Sequence, residues 1–486
     1  MSLTKKQILT ATKSTGPVTI RRTAAAVKQH PEYESMLPRW VFYLNSYEGG
    51  EDYVLNTEYL FTHARETVED RNYRLRRAVY YNYCRSIIDV YVSHLYKKEV
   101  IRESHETGYH GFLADIDFRG NSVDRFMSGF AAPMALVFGT VYVLVDMPVV
   151  EDELGSSYDE SRRGIRPYAN LVLPMDLVDW ELDRLGRFNW VKIRESVPQP
   201  RSPLAPREKP RYQYRIWTRN AWFLINEDRE FLNPHGADGE PHPAGLVPVV
   251  PVRAERSFTR ELAGVSALAD IAHCCRKIYN LASLLDEFLY KQCFSFLAWP
   301  GDVNTEELGA SNVATYDPAT KALPAYVSPP TDPASFIESQ IDKNIEEIYR
   351  LARIRYEGTH PRAQSGFAKA IDFHDTDNAL ARKARSFEQA ERDIAELYFR
   401  WCRRRNDARI IYPREFSVKA VNDEIEEAIR VISLKLSPAL NTHLASRLAR
   451  RLLPNLPEEK RLEIEKEIKT AASQKNEEPG NSQEGL

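Results

Sequence analysis

The chain has 486 residues, of which 43% are hydrophobic and 28% are charged, and its formal net charge is −3. This composition is sufficient for a sizeable core, and the length predicts roughly two to four domains. A domain that reads the grooves of DNA is strongly basic, because its affinity comes from neutralising phosphates. The charge balance excludes that class for the chain as a whole, so any contact with nucleic acid would have to be local.

The N-terminal part, residues 30–100, is predicted to be helical. Between Arg71 and Leu95 apolar residues recur every three to four positions, which predicts one continuous amphipathic helix. Its first turns are rich in arginine, and these side chains are expected to be solvated or paired across subunits, with DNA contact as the less favoured alternative. The uncharged stretch from Phe126 to Val145 is long enough to cross a membrane. Its glycines, its proline and its β-branched second half favour a buried helix followed by a buried strand.

Residues 135–255 change in character, because short strand-like runs alternate there with turns rich in proline and glycine. The pattern predicts a β-rich module of about 110 residues. Five prolines within residues 198–210 predict an exposed loop. The acidic residues Asp176, Asp179 and Glu181 fall in this module, and the last two would share one face of a strand. Carboxylates so placed could hold Mg²⁺ for phosphodiester hydrolysis, although solvated carboxylates near a turn explain them equally well.

From Gly264 a helical pattern of about thirty residues predicts a rod of roughly 45 Å. A short insert rich in prolines and β-formers follows, and a second amphipathic helix runs from about Ala334 to Arg355. The two helices and the insert predict a hairpin with a small cap. Because each apolar stripe is modest, we expect the hairpin to pack laterally against copies of itself or to dock on its own domain.

The remaining chain is predicted to be mostly helical. Residues 364–377 are expected to form a loop with Gly366 as a hinge, after which Asp375 or Thr376 caps a long helix that ends near Arg404. A strand-like run at 410–418 precedes three predicted helices, near 421–434, 438–452 and 457–471. The polar tail is expected to be disordered.

No motif for catalysis or metal binding is evident. The five cysteines contain no Cys-x-x-Cys unit, which predicts buried free thiols and no metal site. His273 stands beside two cysteines, but neighbours on a helix point about 100° apart, so it is interpreted as a core or intersubunit histidine. A phosphate-binding GxxxxGK[ST] loop, HExxH and GxSxG are missing, so the sequence predicts no enzyme and no cofactor.

The order of these segments resembles the portal proteins, or head-to-tail connectors, of tailed bacteriophages. The likeness covers about residues 35–470. It rests on WVFYLNSYEGGEDY (40–53), YRLRRAVYYNYCRSIID (73–89), ALVFGTVYVLVDMP (135–148), GVSALADI and IYNLASLLDEFLYKQCF (264–294), YRLARIRYEG and QSGFAKAIDF (349–373), and IIYPREFSV (410–418).

The resemblance implies an α+β, portal-like subunit that forms a ring, with a mixed α/β wing, a two-helix stem hairpin, a small β-containing clip, a long wing helix and a helical crown. The implied segments are a partly disordered N-terminal arm (1–34), the wing (35–262), the first stem helix (263–293), the clip (294–333), the second stem helix (334–358), a tunnel loop (359–377), the long wing helix (378–410), the crown (411–471) and a disordered tail (472–486).

The resemblance also implies a function and a set of partners. The ring, of twelve subunits in that family, would be made in the host cytoplasm and occupy one capsid vertex of the virion. Double-stranded DNA would pass through it during packaging and ejection. Its partners would be terminase, capsid and scaffolding proteins, and later head-completion or tail proteins. The tunnel loop would carry Gln364, Phe367, Lys369, Asp372 and His374, and the clip would present Trp299, Asp302, Glu306, Glu307, Tyr316 and Tyr326 to terminase or an adaptor. The alternative is a metal-dependent nucleic-acid-processing enzyme that uses Asp176, Asp179 and Glu181.

Overall fold

The computed structural model divides the chain into two units, Met1–Phe416 and Ser417–Leu486. In the first unit it describes residues 28–64, 66–148, 165–197, 211–292, 296–300, 313–317, 319, 323, 325–327, 332–354, 366–414 and 416. In the second unit it describes 430, 441, 442, 444, 445, 460, 464, 467 and 468, all of which are helical. The proline-rich loop, the polar tail, most of the N-terminal arm and most of the crown lie outside the described residues.

The N-terminal helices differ from the prediction in one respect. Helix α1 (Pro31–Glu48) is followed by α2 (Glu51–Val54), α3 (Val68–Arg77) and α4 (Tyr83–Leu95). The predicted continuous helix from Arg71 to Leu95 is therefore wrong, because the chain leaves the helix at Ala78 and starts again after Asn82. The Asn82 side chain accepts a hydrogen bond from the backbone N–H of Arg85 and so caps α4. In the break, Tyr80 stacks on Tyr53 with ring centroids 3.7 Å apart.

The uncharged stretch forms the buried centre of the first unit. After strand β1 (Ile101–Glu103) come α5 (Thr107–Ala114), α6 (Val123–Phe126), a π-helical turn, α7 (Ala132–Phe138) and strand β2 (Thr140–Asp146). Most side chains of α7 and β2 are fully buried, which confirms the predicted buried helix followed by a buried strand. Within the described part of the chain, no helix combines the length and the apolar character needed to span a bilayer.

Two antiparallel sheets make up the predicted β-rich module. In the first, β2 lies between β3 (Tyr168–Val172) and β9 (Val249–Arg253). The second is a meander in chain order of β4 (Leu177–Leu182), β5 (Phe188–Val197), β6 (Arg211–Thr218), β7 (Ala221–Asn226) and β8 (Glu240–Pro241). Strands β5, β6, β7 and β9 overlap four of the strand-like runs in the sequence, namely FNWVKIRES, YQYRIWTR, AWFLINE and GLVPVVPVR, whereas β3 matches no predicted run.

The predicted helical hairpin with a β cap is confirmed. Helix α8 (Ile271–Gln292) packs against α9 (Asp332–Ala352). Between them β10 (Phe296–Pro300) pairs in parallel with β11 (Val313–Tyr316) and antiparallel with β12 (Ala325–Val327). Helix α8 begins seven residues later than Gly264, because the Ser266 hydroxyl accepts the N–H of Leu268 and donates to the carbonyl of Val137, holding a turn there.

The long helix α10 (Gly366–Trp401) begins earlier than predicted. Residues 366–377 are helical, so the expectation of a loop there is wrong. After Gly366 the segment contains neither proline nor glycine, and its alanines and lysine favour a helix, which outweighs the capping potential of Asp375 and Thr376. Strand β13 (Arg409–Ile411) is shorter than the predicted run and pairs with β1.

Candidate functional site

The hairpin of α8 and α9 is buried at one end and uncovered toward its cap. In α8, Cys275 and Tyr279 are no more than 1% exposed, whereas Leu289 is 46% exposed. In α9, Ala352 is 1% exposed and Phe336 is 66% exposed. The predicted apolar stripes are therefore confirmed at the end away from the cap, where Cys275, Tyr279 and Ala352 are buried. Toward the cap the stripe residues Leu285 and Ile337 are half-buried and Leu289 is exposed, and Phe336, which lies outside the predicted stripe, is exposed as well.

The arginine-rich helix α3 contacts helix α8 within the chain. The Arg74 guanidinium, 3% exposed, donates to both carboxylate oxygens of Glu66 at 2.6 and 2.7 Å, and these bonds lower the pKa of that carboxyl. Arg77 forms an ion pair with Glu287 of α8 and lies 4.2 Å from the ring centroid of Tyr290. For Arg74 and Arg77, the expectation of solvation or of pairing across subunits is therefore wrong.

The structure brings three of the six predicted clip residues into one small sheet. Trp299 in β10 and Tyr316 in β11 are half-buried. Tyr326 lies in β12, where its backbone pairs with Leu297 of β10. The other three, Asp302, Glu306 and Glu307, lie outside the described residues, so their place in the clip stays a prediction.

Four of the five residues predicted for the tunnel loop lie on a helix. Phe367, Lys369, Asp372 and His374 belong to the first turns of α10, and the structure describes only their backbone. Gln364 lies outside the described residues. A role in contacting DNA stays a prediction for all five, and it now concerns the beginning of a helix.

The acidic residues of β4 each have a separate partner. Asp179 lies opposite Lys192 of β5, with Oδ2 and Nζ 2.9 Å apart. Glu181 lies opposite Trp190, whose Nε1 donates to the carboxylate at 2.8 Å. The two acidic residues alternate with buried Trp180, so they share a strand face as predicted.

Asp176 belongs to a different environment. It pairs with Arg194 at 3.3 Å, and burial raises the pKa of its carboxyl although Arg194 acts in the opposite direction. Arg194 also donates to the carbonyl of Met175. Cations and an indole thus engage all three carboxylates of the alternative metal site. Among the described residues, no group of three or more His, Cys, Asp or Glu side chains is placed to hold a metal ion.

Cys84 and Cys275 are buried, whereas the nearby His273 is exposed. Cys84 and Cys275 are buried free thiols whose Sγ atoms are 3.5 Å apart, as predicted for thiols in a core. Cys274 and Cys402 are only half-buried, so the prediction of buried thiols is wrong for these two. His273 is exposed, and it contacts Arg276 at 3.1 Å and the ring of Phe42. The interpretation of His273 as a core residue is therefore wrong, and its intersubunit role stays a prediction.

Sequence reasoning missed a buried polar network that joins α10 to the strands β1 and β13. Glu391, 1% exposed, forms an ion pair with Arg102 and accepts a hydrogen bond from the Tyr412 hydroxyl at 2.7 Å. Glu388, 4% exposed, accepts from the backbone N–H of Tyr412 and from Arg414. The only signal was the occurrence of two glutamates beside the apolar stripe of α10, a pattern that usually marks a solvated face.

Comparison with known proteins leaves the family open. No family model matches the chain, and no curated protein matches it. Among solved structures, the chain is similar to one described as "Neck of empty GTA particle computed with C6 symmetry". The identity is 10% and the TM-score is 0.38, and the match covers 77% of this chain and 90% of that chain.

Proposed function

We propose that this chain is the portal protein of a tailed bacteriophage, a ring subunit without enzymatic activity. The ring occupies one vertex of the capsid in the virion and forms the channel through which DNA is packaged and ejected. It docks the terminase motor at the clip, and it later binds head-completion or tail proteins. The proposal rests on the sequence resemblance together with the surface of the stem hairpin.

The observation that carries the proposal is the uncovered end of the hairpin. Leu284, Leu289 and Phe336 are 39, 46 and 66% exposed on two packed helices. Covering these apolar side chains with a partner would be favourable, because it removes apolar surface from water. Lateral contact with the hairpin of the next copy would cover them, and head-to-tail contacts of this kind close into a ring when the rotation permits.

The charge balance also supports a channel. Strong phosphate contacts from many lysines or arginines would hold DNA in place, because each contact adds to the affinity. A net charge of −3 over 486 residues is compatible with DNA that must move through the protein. Lys369 at the start of α10 would then supply one cation per subunit to a ring of positive charge around the channel.

Native mass spectrometry of the purified protein tests the proposal. The subunit mass is 56.0 kDa, and we expect a single large species at twelve or thirteen times that mass. A protein that remains a monomer or dimer at micromolar concentration would contradict it.

Two substitutions sharpen this test. Replacing Leu289→Glu or Phe336→Glu places a charge on the uncovered end of the hairpin, so we expect the large species to be lost while circular dichroism is unchanged. The matched control is Leu185→Glu, because Leu185 is 76% exposed in the turn between β4 and β5. Equal loss of the large species in all three variants would show that the exposed end of the hairpin has no special role in ring assembly.

A nuclease assay addresses the alternative function. We expect no cleavage of double-stranded DNA with Mg²⁺ or Mn²⁺ present. Cleavage that disappears in Asp179→Ala would instead establish the metal-dependent enzyme, provided that the variant keeps its fold.

A further inference from the structure

A cavity of about 420 Å³ lies between the end of α9 and the first half of α10. The described residues that line it are Arg353, Asn378, Ala381, Arg382 and Arg385. Among the described lining residues, three are arginines and one carries a side-chain amide. The cavity belongs to neither the clip nor the acidic strand considered above.

The side of the cavity formed by α10 follows from helical spacing. Asn378, Ala381 or Arg382, and Arg385 are three to four residues apart, so they lie on one face of the helix. Ala381 is small, which leaves room between the longer side chains. Arg353 approaches from the end of the other helix, so guanidinium groups border the space on two sides.

Two of the arginines at this cavity have no partner among the described residues. Arg382 and Arg385 are both exposed, and neither forms an ion pair or hydrogen bond within the described part of the chain. Lys383, the next residue after Arg382, has its pKa lowered by burial and by the positive charges of Arg382 and Arg353, while Glu255 opposes that effect.

The backbone that carries Arg353 is held in a fixed position. Arg353 has φ of 53°, in the left-handed region, and its N–H donates to the carbonyl of Arg350 at 3.1 Å. The next N–H, from Ile354, donates to Tyr349 at 3.0 Å, which completes a Schellman motif at the end of α9. The buried Tyr91 hydroxyl also donates to the carbonyl of Ala352. One wall of the cavity is therefore preorganised before any ligand binds.

We propose that this arginine-lined cavity binds a phosphate group. The guanidinium group presents N–H donors in a planar fork that matches phosphate oxygens, and such charge-assisted bonds are stronger than neutral ones. Asn378 adds an amide that can donate to the same anion. The site is contained in one subunit, so it does not depend on the proposed ring.

The phosphate can come from two sources, the backbone of a nucleic acid or free phosphate. Both present anionic oxygens on a tetrahedral phosphorus to the arginines. Isothermal titration calorimetry of the full chain at fixed salt separates them, with inorganic phosphate as one probe and a short duplex oligonucleotide as the other. Each probe is titrated into the wild type, the double variant Arg382→Gln/Arg385→Gln, and Arg403→Gln. Arg403 is the matched control, because it is exposed just beyond the other end of α10 and does not line the cavity.

We expect inorganic phosphate to saturate one site per chain in the wild type and in the control. In the double variant the affinity should fall by about tenfold or more, because charge-assisted hydrogen bonds are lost. If the duplex shows the same loss, the source is a nucleic acid; if only inorganic phosphate does, the source is free phosphate. Absence of saturable binding of both probes would overturn the proposal, as would equal losses in the double variant and Arg403→Gln. A chain that fails to form a ring can still pass this test, so the two proposals fail separately.

Discussion

Gly139 and Gly264 allow two backbone segments to touch where the strand β2 begins and the approach to α8 ends. Gly139 has φ of 87°, which L side chains rarely adopt. A Cβ atom on Gly264 would lie 2.3 Å from the carbonyl oxygen of Gly139 and 2.6 Å from that of Glu255. Both obstacles are backbone atoms, so a side chain cannot be accommodated by a change of rotamer.

Replacing Gly264→Ala is therefore expected to destabilise the first unit by about 1–3 kcal/mol, the usual cost of overpacking a core. Chemical denaturation followed by tryptophan fluorescence measures the change in the free energy of unfolding. The control is Gly111→Ala, because a Cβ at this exposed position in α5 meets nothing within 4 Å. That variant should be neutral or slightly more stable. Equal stability of Gly264→Ala and the wild type would show that the two segments can move apart at little cost.

At the scale of elements, the buried network on α10 fixes how the long helix meets β1 and β13. The Arg102 side chain is 6% exposed and that of Glu391 is 2% exposed. An ion pair this well buried adds little stability compared with apolar residues, but removal of one partner leaves a buried charge. Removing one member of the network is thus expected to cost more stability than the intact ion pair contributes.

We expect Glu391→Gln to lower the free energy of unfolding by about 2–4 kcal/mol, below the cost of a fully unpaired buried charge, because Arg102 loses its buried counter-charge and keeps only its ion pair with the exposed Asp124. Glu396→Gln is the matched control on the same helix, since Glu396 pairs with Arg400 where both side chains are more than 40% exposed. Its effect should stay below about 1 kcal/mol. Urea denaturation of both variants measures the difference, and similar values for the two would contradict the special role of the buried pair.

Amphipathic patterns predicted most of the long elements, since burial on one face leaves a visible period in the sequence. The hairpin of α8 and α9 and the buried helix and strand at 126–145 follow from such patterns. The ends of the elements were harder. The break between α3 and α4 depends on the packing of Tyr80 on Tyr53, which leaves no periodic pattern of apolar residues in the sequence. The early start of α10 depends on the helix propensity of residues 367–377, which has no such pattern either.

The sites were less predictable than the elements. The residues proposed to bind phosphate come from positions 353 and 378–385, which only tertiary packing brings to one cavity. The partners of Asp176 and Asp179 depend on the strand register, since Lys192 and Arg194 lie on the neighbouring strand. The clip and channel residues were assigned from the family resemblance, and the structure describes the surroundings of only a few of them.

At the scale of the whole molecule, the last residues of the first unit are packed into the core of that same unit. Tyr412 is 1% exposed and Phe416 is 4% exposed, and both belong to the buried core of that unit. Strand β13 and the partners of Glu388 come just before the boundary at Phe416. The first unit therefore holds its own core up to that residue.

A chain that ends after Phe416 is accordingly expected to keep the thermal unfolding midpoint of the first unit within a few degrees. A chain that ends after Arg405 loses β13 and Tyr412, which leaves Glu388 and Glu391 with fewer partners, so its midpoint should fall clearly. Differential scanning calorimetry of both chains checks this. If the chain ending after Phe416 unfolds as early as the one ending after Arg405, residues beyond Phe416 contribute to the stability of the first unit.

The pairing of β1 with β13 also has a consequence for biosynthesis. Glu103 and Arg409 face each other across this ladder although they are 306 positions apart in the chain. A ribosome that adds about 5–20 residues per second needs roughly 15–60 s to deliver the second strand after the first. During that interval the edge of β1 lacks the strand with which it pairs in the finished fold. Arg102 lacks Glu391, although its other partner, Asp124, follows it by 22 residues. We expect the last step in maturation of the first unit to follow the emergence of residue 411 from the ribosome, and any chaperone that shields β1 would have to leave by then.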